Sequence, residues 1–198
     1  MTRRLDAPRR GLDMRIVAIV GFVAIGLVAV LVAFVVSAGP NPWAGTPEPD
    51  MGGGHVNDGT DVRLSDSSAY ASTPATSGPH WSTPAQWGVY SAPQPESQLV
   101  HNLEHGGIVV WYQPDQVDAA GVEALANYVD SQVRSGLGGR FKFILTPWAG
   151  EDFGSPIAVT AWRRLLYLDE PNVDAVRGFG DANYGRAPEN GGGPGPPA

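Results

Sequence analysis

The 198-residue chain contains no cysteine. Disulfide staples, thiolate metal sites, iron–sulfur clusters and thiol redox chemistry are therefore excluded, and a bound metal must take nitrogen or oxygen ligands. Charge is scarce too, at 17% of residues, against roughly 25% in an ordinary soluble domain. Basic residues in particular are few beyond the amino terminus. Arg3, Arg4, Arg9, Arg10 and Arg15 fall in the first 15 residues, and the remainder carries 8 basic against 18 acidic side chains. A surface so acidic repels phosphate backbones, so no nucleic-acid partner is expected, whereas cations and basic proteins are attracted. P-loop and Gly-x-Ser-x-Gly patterns are missing, and residues 136–139 (GLGG) depart from the dinucleotide fingerprint. No nucleotide or flavin site is expected.

What is present begins with a hydrophobic run. Ile16 to Val36 holds 21 residues without a charged or strongly polar side chain. As a helix it would reach roughly 30 Å, about the hydrocarbon thickness of a bilayer. Val36-Ser37-Ala38 resembles a signal-peptidase site, but the run exceeds the usual apolar core of a signal peptide. The expectation is an uncleaved single span over 16–38. The arginines before it place residues 1–15 in the cytoplasm and the rest outside the cell membrane. Residues 39–54, GPNPWAGTPEPDMGGG, read as a Pro/Gly-rich linker, and 189–198, ENGGGPGPPA, as a disordered tail. Between them, 55–188 is long enough for one extracytoplasmic domain.

Its elements sharpen toward the carboxyl terminus. Val62–Leu64 and Trp87–Tyr90 read as short strands, and Ile108–Tyr112 (IVVWY) as a buried one. Asp115 is placed to cap a helix with the apolar stripe Val122, Leu125, Val129 and Val133, stopped by Gly136. Phe141–Leu145 is a strand ended by Pro147, and Ile157–Trp162 another, continuing toward Leu168. Asn172 caps a last helix through Val173, Val176 and Phe179. The order predicts an α+β domain, a small mixed β-sheet with two helices, preceded by the transmembrane helix. Trp81, Trp87, Tyr90, Trp111, Trp148 and Trp162 are expected mainly in the core.

The stretch that carries chemistry is residues 99–107, LVHNLEHGG. On a helix, His101 and His105 share a face about 5–6 Å apart, with Glu104 on the same side. On a strand the same pair would stand about 13 Å apart, beyond any single ion. The motif chelates only as a helical turn, and Gly106 and Gly107 suit the end of one. His-x-x-Glu-His also matches a zinc-protease pattern, but that needs a sustained helix and a further ligand downstream. His55 and His80 complete the histidines, so all four lie within 51 residues. Three or four imidazoles and a carboxylate suit Zn²⁺ or Cu²⁺. The competing reading is a polar turn whose histidines and Glu104 bond nearby backbone. Residues 58–61, DGTD, have part of a calcium loop and read as a turn.

Four segments carry a family resemblance: TSGPHW (76–81), WGVY (87–90), LVHNLEHGG (99–107) and TAWRRLLYLD (160–169). They resemble the bacterial domain-of-unknown-function family 3105 from about His55 to Glu189. The resemblance implies a membrane-anchored or exported protein of unknown activity, and histidine motifs falling on His55, His80, His101 and His105. Two departures bear on the site. Trp87 stands where many relatives have cysteine, and Trp81 follows His80 where some have histidine or Asn-Pro.

The resulting expectation is a membrane-anchored extracytoplasmic domain holding Zn or Cu through His80, His101, His105, Glu104 and His55. No catalytic residue is assigned, and a non-enzyme is favoured. The alternative is a structural or partner-binding envelope protein with no metal.

Overall fold

The computed structural model describes residues 19, 21–23, 25, 26, 41–189 and 193–196. The chain divides into two compact units, 1–40 and 41–198. Of the first unit, the six described residues are helical. The expected span, 16–38, falls mostly outside the described residues, and no described helix is long and apolar enough to cross a membrane.

The second unit is a mixed α+β domain. Its strands are β1 (Thr46–Pro47), β2 (His55–Val56), β3 (His80–Trp81), β4 (Gly88–Val89), β5 (Ile108–Tyr112), β6 (Phe143–Pro147), β7 (Ile157–Ala161) and β8 (Arg164–Leu168). Its helices are α1 (Val62–Ser65), α2 (Glu96–Glu104), α3 (Ala119–Val133) and α4 (Val173–Asn183). Six strands form one sheet in the order β1-β8-β7-β5-β6-β4, while β2 and β3 pair separately and in parallel.

The centre of the sheet is where local pattern and fold agree most closely. Every residue of β5, β6 and β7 is buried, as expected for strands covered on both faces. β5 and β6 run parallel with α3 between them in sequence, and β5 and β7 run antiparallel. The Trp111 indole N–H donates to Thr160 Oγ1 across the β5–β7 pair at 2.9 Å, so the one polar atom of that ring is satisfied inside the core. α3 presents Leu125, Tyr128, Val129 and Val133 to the core. Asn172 caps α4 by accepting from Ala175 N, and Val176 and Phe179 are fully buried.

Several expectations are corrected. Val62–Leu64 begins a helical turn rather than a strand, because Asp61 Oδ1 accepts the Leu64 N–H as an N-cap. α3 starts at Asp118 instead of Asp115, whose neighbours Gln116 and Val117 first close a turn onto Gln113. Ile157–Leu168 is two strands joined at Trp162 and Arg163, not one. α2 adds a helix that the polar residues of 96–104 concealed. The 39–54 stretch is not a free spacer over its described part. β1 pairs with β8, Asn41 Nδ2 donates to Gly178 O at 2.6 Å, and Trp43 packs on the core. An open sheet edge recruits such a segment despite its prolines, since a two-residue edge strand needs few donors. The expected tail also returns to the domain: Trp87 Nε1 donates to Pro194 O at 2.7 Å, and Glu189 N to Glu104 O at 3.1 Å.

Candidate metal centre

Helix α2 is the platform of the site. Pro95 occupies its N-cap, and Glu96 in the first turn favours the positive end of the helix dipole. Glu96 also receives both guanidinium arms of Arg63 at 2.8 Å and the Ala75 N–H at 2.7 Å, which anchors this end to the preceding loop. Leu99, Val100 and Leu103 are fully buried. Asn102 clamps Ala85, its Oδ1 accepting from Ala85 N and its Nδ2 donating to Ala85 O.

The helix ends in a Schellman motif. Gly106 N donates to Leu103 O and Gly107 N to Asn102 O, with Gly106 at φ +80°. Gly107 has a second reason to be glycine: a Cβ there would lie 2.5 Å from the Trp87 ring. His101, Glu104 and the C-cap residue His105 therefore sit in the last turn, on the side facing β2 and β3.

Those two strands bring the other histidines. In the parallel β2–β3 pair His55 stands opposite His80, and the bonds Gly78 N to Gly52 O and His80 N to Gly54 O extend the pairing. Directly paired residues share a sheet face. The glycines before His55 let the chain graze the carboxylate, since a Cβ on Gly53 would be 2.2 Å from Glu104 Oε1.

The outcome is a compact cluster. One ligand atom from each of His55, His80, His101 and Glu104 falls within 4.8 Å of the others. A tetrahedral zinc with bonds of about 2.0–2.1 Å holds its ligands roughly 3.3 Å apart, so closing the widest of these separations by about 1.5 Å brings the four around one ion. His80 Nε2 is 3.0 Å from Glu104 Oε2, and His55 Nε2 is 3.9 Å from the same oxygen. His105 adjoins the four, its Nε2 2.8 Å from His101 Nε2. His80 is fully buried, Glu104 is 4% exposed, and the His55 side chain is 49% exposed at the rim. All five residues singled out by sequence thus come together, His105 beside the four that converge.

The second nitrogens define the chemistry. His80 Nδ1 lies 2.8 Å from Gly78 O, His101 Nδ1 2.6 Å from Trp81 O, and His105 Nδ1 2.9 Å from Glu189 O. A carbonyl can only accept, so each Nδ1 carries a proton, and in its neutral form each ring directs an Nε2 lone pair into the cluster. There, lone pairs face lone pairs: His80 toward the Glu104 carboxylate and His101 toward His105. A proton bridging His101 and His105 makes a buried cation, and one between His80 and Glu104 makes either a cation or a neutral carboxylic acid. Burial opposes the cations, holding His80 and His101 below the ordinary imidazole value against the pull of their carbonyl partners. Burial, and next the charge of Glu189, pushes Glu104 above the ordinary carboxylate value. Backbone carbonyls gripping the outer nitrogens of converging imidazoles are the usual support of a metal site.

Sequence reasoning had no means of finding the supporting groups. Lys142, buried beside the site, donates from Nζ to His105 O at 2.8 Å, and burial lowers its pKa. The carbonyls of Gly78, Trp81 and Glu189 leave no trace in residue type. A cavity of about 480 Å³ at the amino-terminal end of α2 is lined by Trp81, Glu96 and Trp148, among others, but by none of the five site residues.

Fold and site together define a mixed α+β domain with a buried histidine–carboxylate cluster able to hold a metal ion. The chain belongs to the family described as protein of unknown function (DUF3105), whose model matches residues 61–194. His80, His101, Glu104 and His105 lie inside that range and His55 just outside it, so the match starts later than the resemblance placed it. It also runs through Pro194, in keeping with the docked carboxyl-terminal segment. No curated protein and no solved structure matches the chain.

Proposed function

We propose that this protein is a membrane-anchored, extracytoplasmic metal-binding domain that holds one Zn²⁺ or Cu²⁺ through His55, His80, His101 and Glu104. His105 is a fifth donor available beside His101. The observation that carries this reading is the alignment of three imidazoles, those of His55, His80 and His101, the last two with their outer nitrogens committed to carbonyls. Their inner lone pairs converge with a buried carboxylate, and a divalent cation is the species that satisfies them together. Nitrogen and oxygen donors suit Zn²⁺ and Cu²⁺, whereas Cu⁺ favours sulfur. The anchor rests on the apolar run 16–38, and the outward placement on the arginines that precede it.

A bound ion would act here as a Lewis acid and charge centre. The protein's part is to orient the rings, exclude water from His80 and Glu104, and leave the rim at His55 accessible. That rim is the route by which metal enters, and the position a water or substrate atom would take if His55 swung away.

The test uses the full chain in non-ionic detergent, stripped with chelator and dialysed against sub-stoichiometric Zn²⁺ and Cu²⁺, with bound metal counted by mass spectrometry. One equivalent is expected on the native chain and none on His80→Ala/His101→Ala. A folded native chain that binds neither ion overturns the reading and leaves a polar structural turn.

A further inference from the structure

We infer that the β7–β8 turn and the end of α4 form a second binding site, independent of the metal cluster, for a small dianion such as a phosphate monoester or a dicarboxylate. A cavity of about 290 Å³ opens there, lined by Pro47, Trp162, Arg163, Arg164, Asn183 and Arg186. That volume is at the lower end for small-molecule sites and matches a small ligand.

The charge distribution makes this cavity unusual. Beyond residue 15 the chain has only 8 basic side chains against 18 acidic ones, and three of the eight line this one hollow. The others are engaged elsewhere. Arg63, Arg134, Arg140 and Arg177 are paired with Glu96, Asp130, Asp181 and Asp174, and Lys142 binds the His105 carbonyl. Arg164 and Arg186 have no ion-pair partner among the described residues. Arg163 has only long contacts, 3.5 Å to Asp50 Oδ2 and 3.5 Å to Glu48 O. Grouped guanidinium groups repel one another unless an anion lies between them, and their planar forks match carboxylate and phosphate oxygens in pairs.

The backbone gives a second, independent sign. Arg163 has φ +58°, the only positive value among the described non-glycine residues, in a tight turn where glycine or asparagine is the unstrained choice. The strain is held by tertiary bonds, Arg163 N to Thr76 O at 2.9 Å and Glu48 N to Arg163 O at 3.0 Å. A long cationic side chain is thus held at a glycine-type position, next to two further arginines on the same cavity. Trp162, 8% exposed, offers an apolar wall on the same cavity.

Inorganic phosphate and succinate are the probes, titrated calorimetrically into the chelator-treated full chain in detergent, with chloride at equal ionic strength as the blank. Saturable binding of at least one probe is expected. It should weaken roughly tenfold or more in Arg164→Ala/Arg186→Ala. It should also weaken in Arg164→Lys/Arg186→Lys, which keeps charge but loses the fork. The control Arg134→Ala/Arg177→Ala removes two arginines elsewhere and should bind as the native chain does. Thermal melts in chloride verify that each variant is folded. No binding by the native chain overturns the inference, as does equal weakening in the control, which would mean general attraction to positive charge. Because metal is absent throughout, failure here is separable from failure of the metal reading.

Discussion

The central sheet and the histidine cluster are built on opposite principles. In β5, β6 and β7 fifteen consecutive-by-strand positions are buried, nearly all of them apolar, and each is supported by several neighbours. The cluster instead assembles two-residue strands, one helix end and several loop carbonyls around polar atoms. The sheet is specified by volume and is redundant. The site is specified by direction, and each of its polar groups depends on a few specific partners. Changes of volume should therefore damage stability in the first region, and changes of a few atoms should damage binding in the second.

The largest effect is expected in the sheet. Phe143→Ala removes a fully buried ring from β6 and should cost about 3–5 kcal/mol, read by denaturant unfolding of chelator-treated protein. Metal affinity of the remaining folded fraction should be near native. Glu104→Gln inverts that result. It removes one charge at nearly constant shape, should weaken metal binding roughly 100-fold or more, and should leave the metal-free melting temperature equal or higher, since an unpaired buried carboxylate is costly. A clear loss of metal-free stability would mean that Glu104 is a structural acceptor. His55→Ala, at the exposed rim, should cost about tenfold in affinity with no change in folding. Gly53→Ala is subtler: the new methyl displaces the carboxylate it would otherwise meet at 2.2 Å, and a several-fold affinity loss is expected from competition titrations.

The smallest effect is on pH dependence. His80 and His101 have folded pKa values below the ordinary 6.5, so the unfolded chain binds protons first. Their contribution is present above about pH 6.5 and is lost as pH falls through the depressed values. Glu104, raised above 4.5, acts in the opposite sense, since its contribution is lost as pH rises through its folded value. Melting temperatures of metal-free protein between pH 7.5 and 4.5 should therefore decline on acidification, more steeply in Glu104→Gln. His80→Asn/His101→Asn should flatten the curve. Bound metal adds a parallel acid sensitivity, because protons compete for its ligands.

These two regions were also unequally legible. Ile108–Tyr112 read as a buried strand because its β-branched and aromatic residues favour that state wherever they lie. Asn172 read as a cap because its side chain bonds within its own turn. At the site, the spacing of His101, Glu104 and His105 before two glycines already required a helical turn for chelation, and α2 supplies it. The helix itself was obscured, since Ser97, His101 and Asn102 interrupt the apolar stripe and are buried for tertiary reasons. Val62–Leu64 misled because three residues cannot reveal a period, and the cap at Asp61 decided the outcome.

Residue type and local spacing, then, determined the ligand chemistry without thiolate, the last turn of α2, the strands of the core and the capped helices. Each depends on interactions within a few residues, which a linear text contains. Tertiary structure alone decided that His55 lies opposite His80, that both meet Glu104, and that the carbonyls of Gly78, Trp81 and Glu189 fix the ring tautomers. It likewise decided that 41–54 closes the sheet edge and that Pro194 returns to Trp87. Apart from the local bond of His80 to Gly78 O, such contacts join residues 20 to more than 100 positions apart, where strand register and loop closure, rather than any local preference, select the partner.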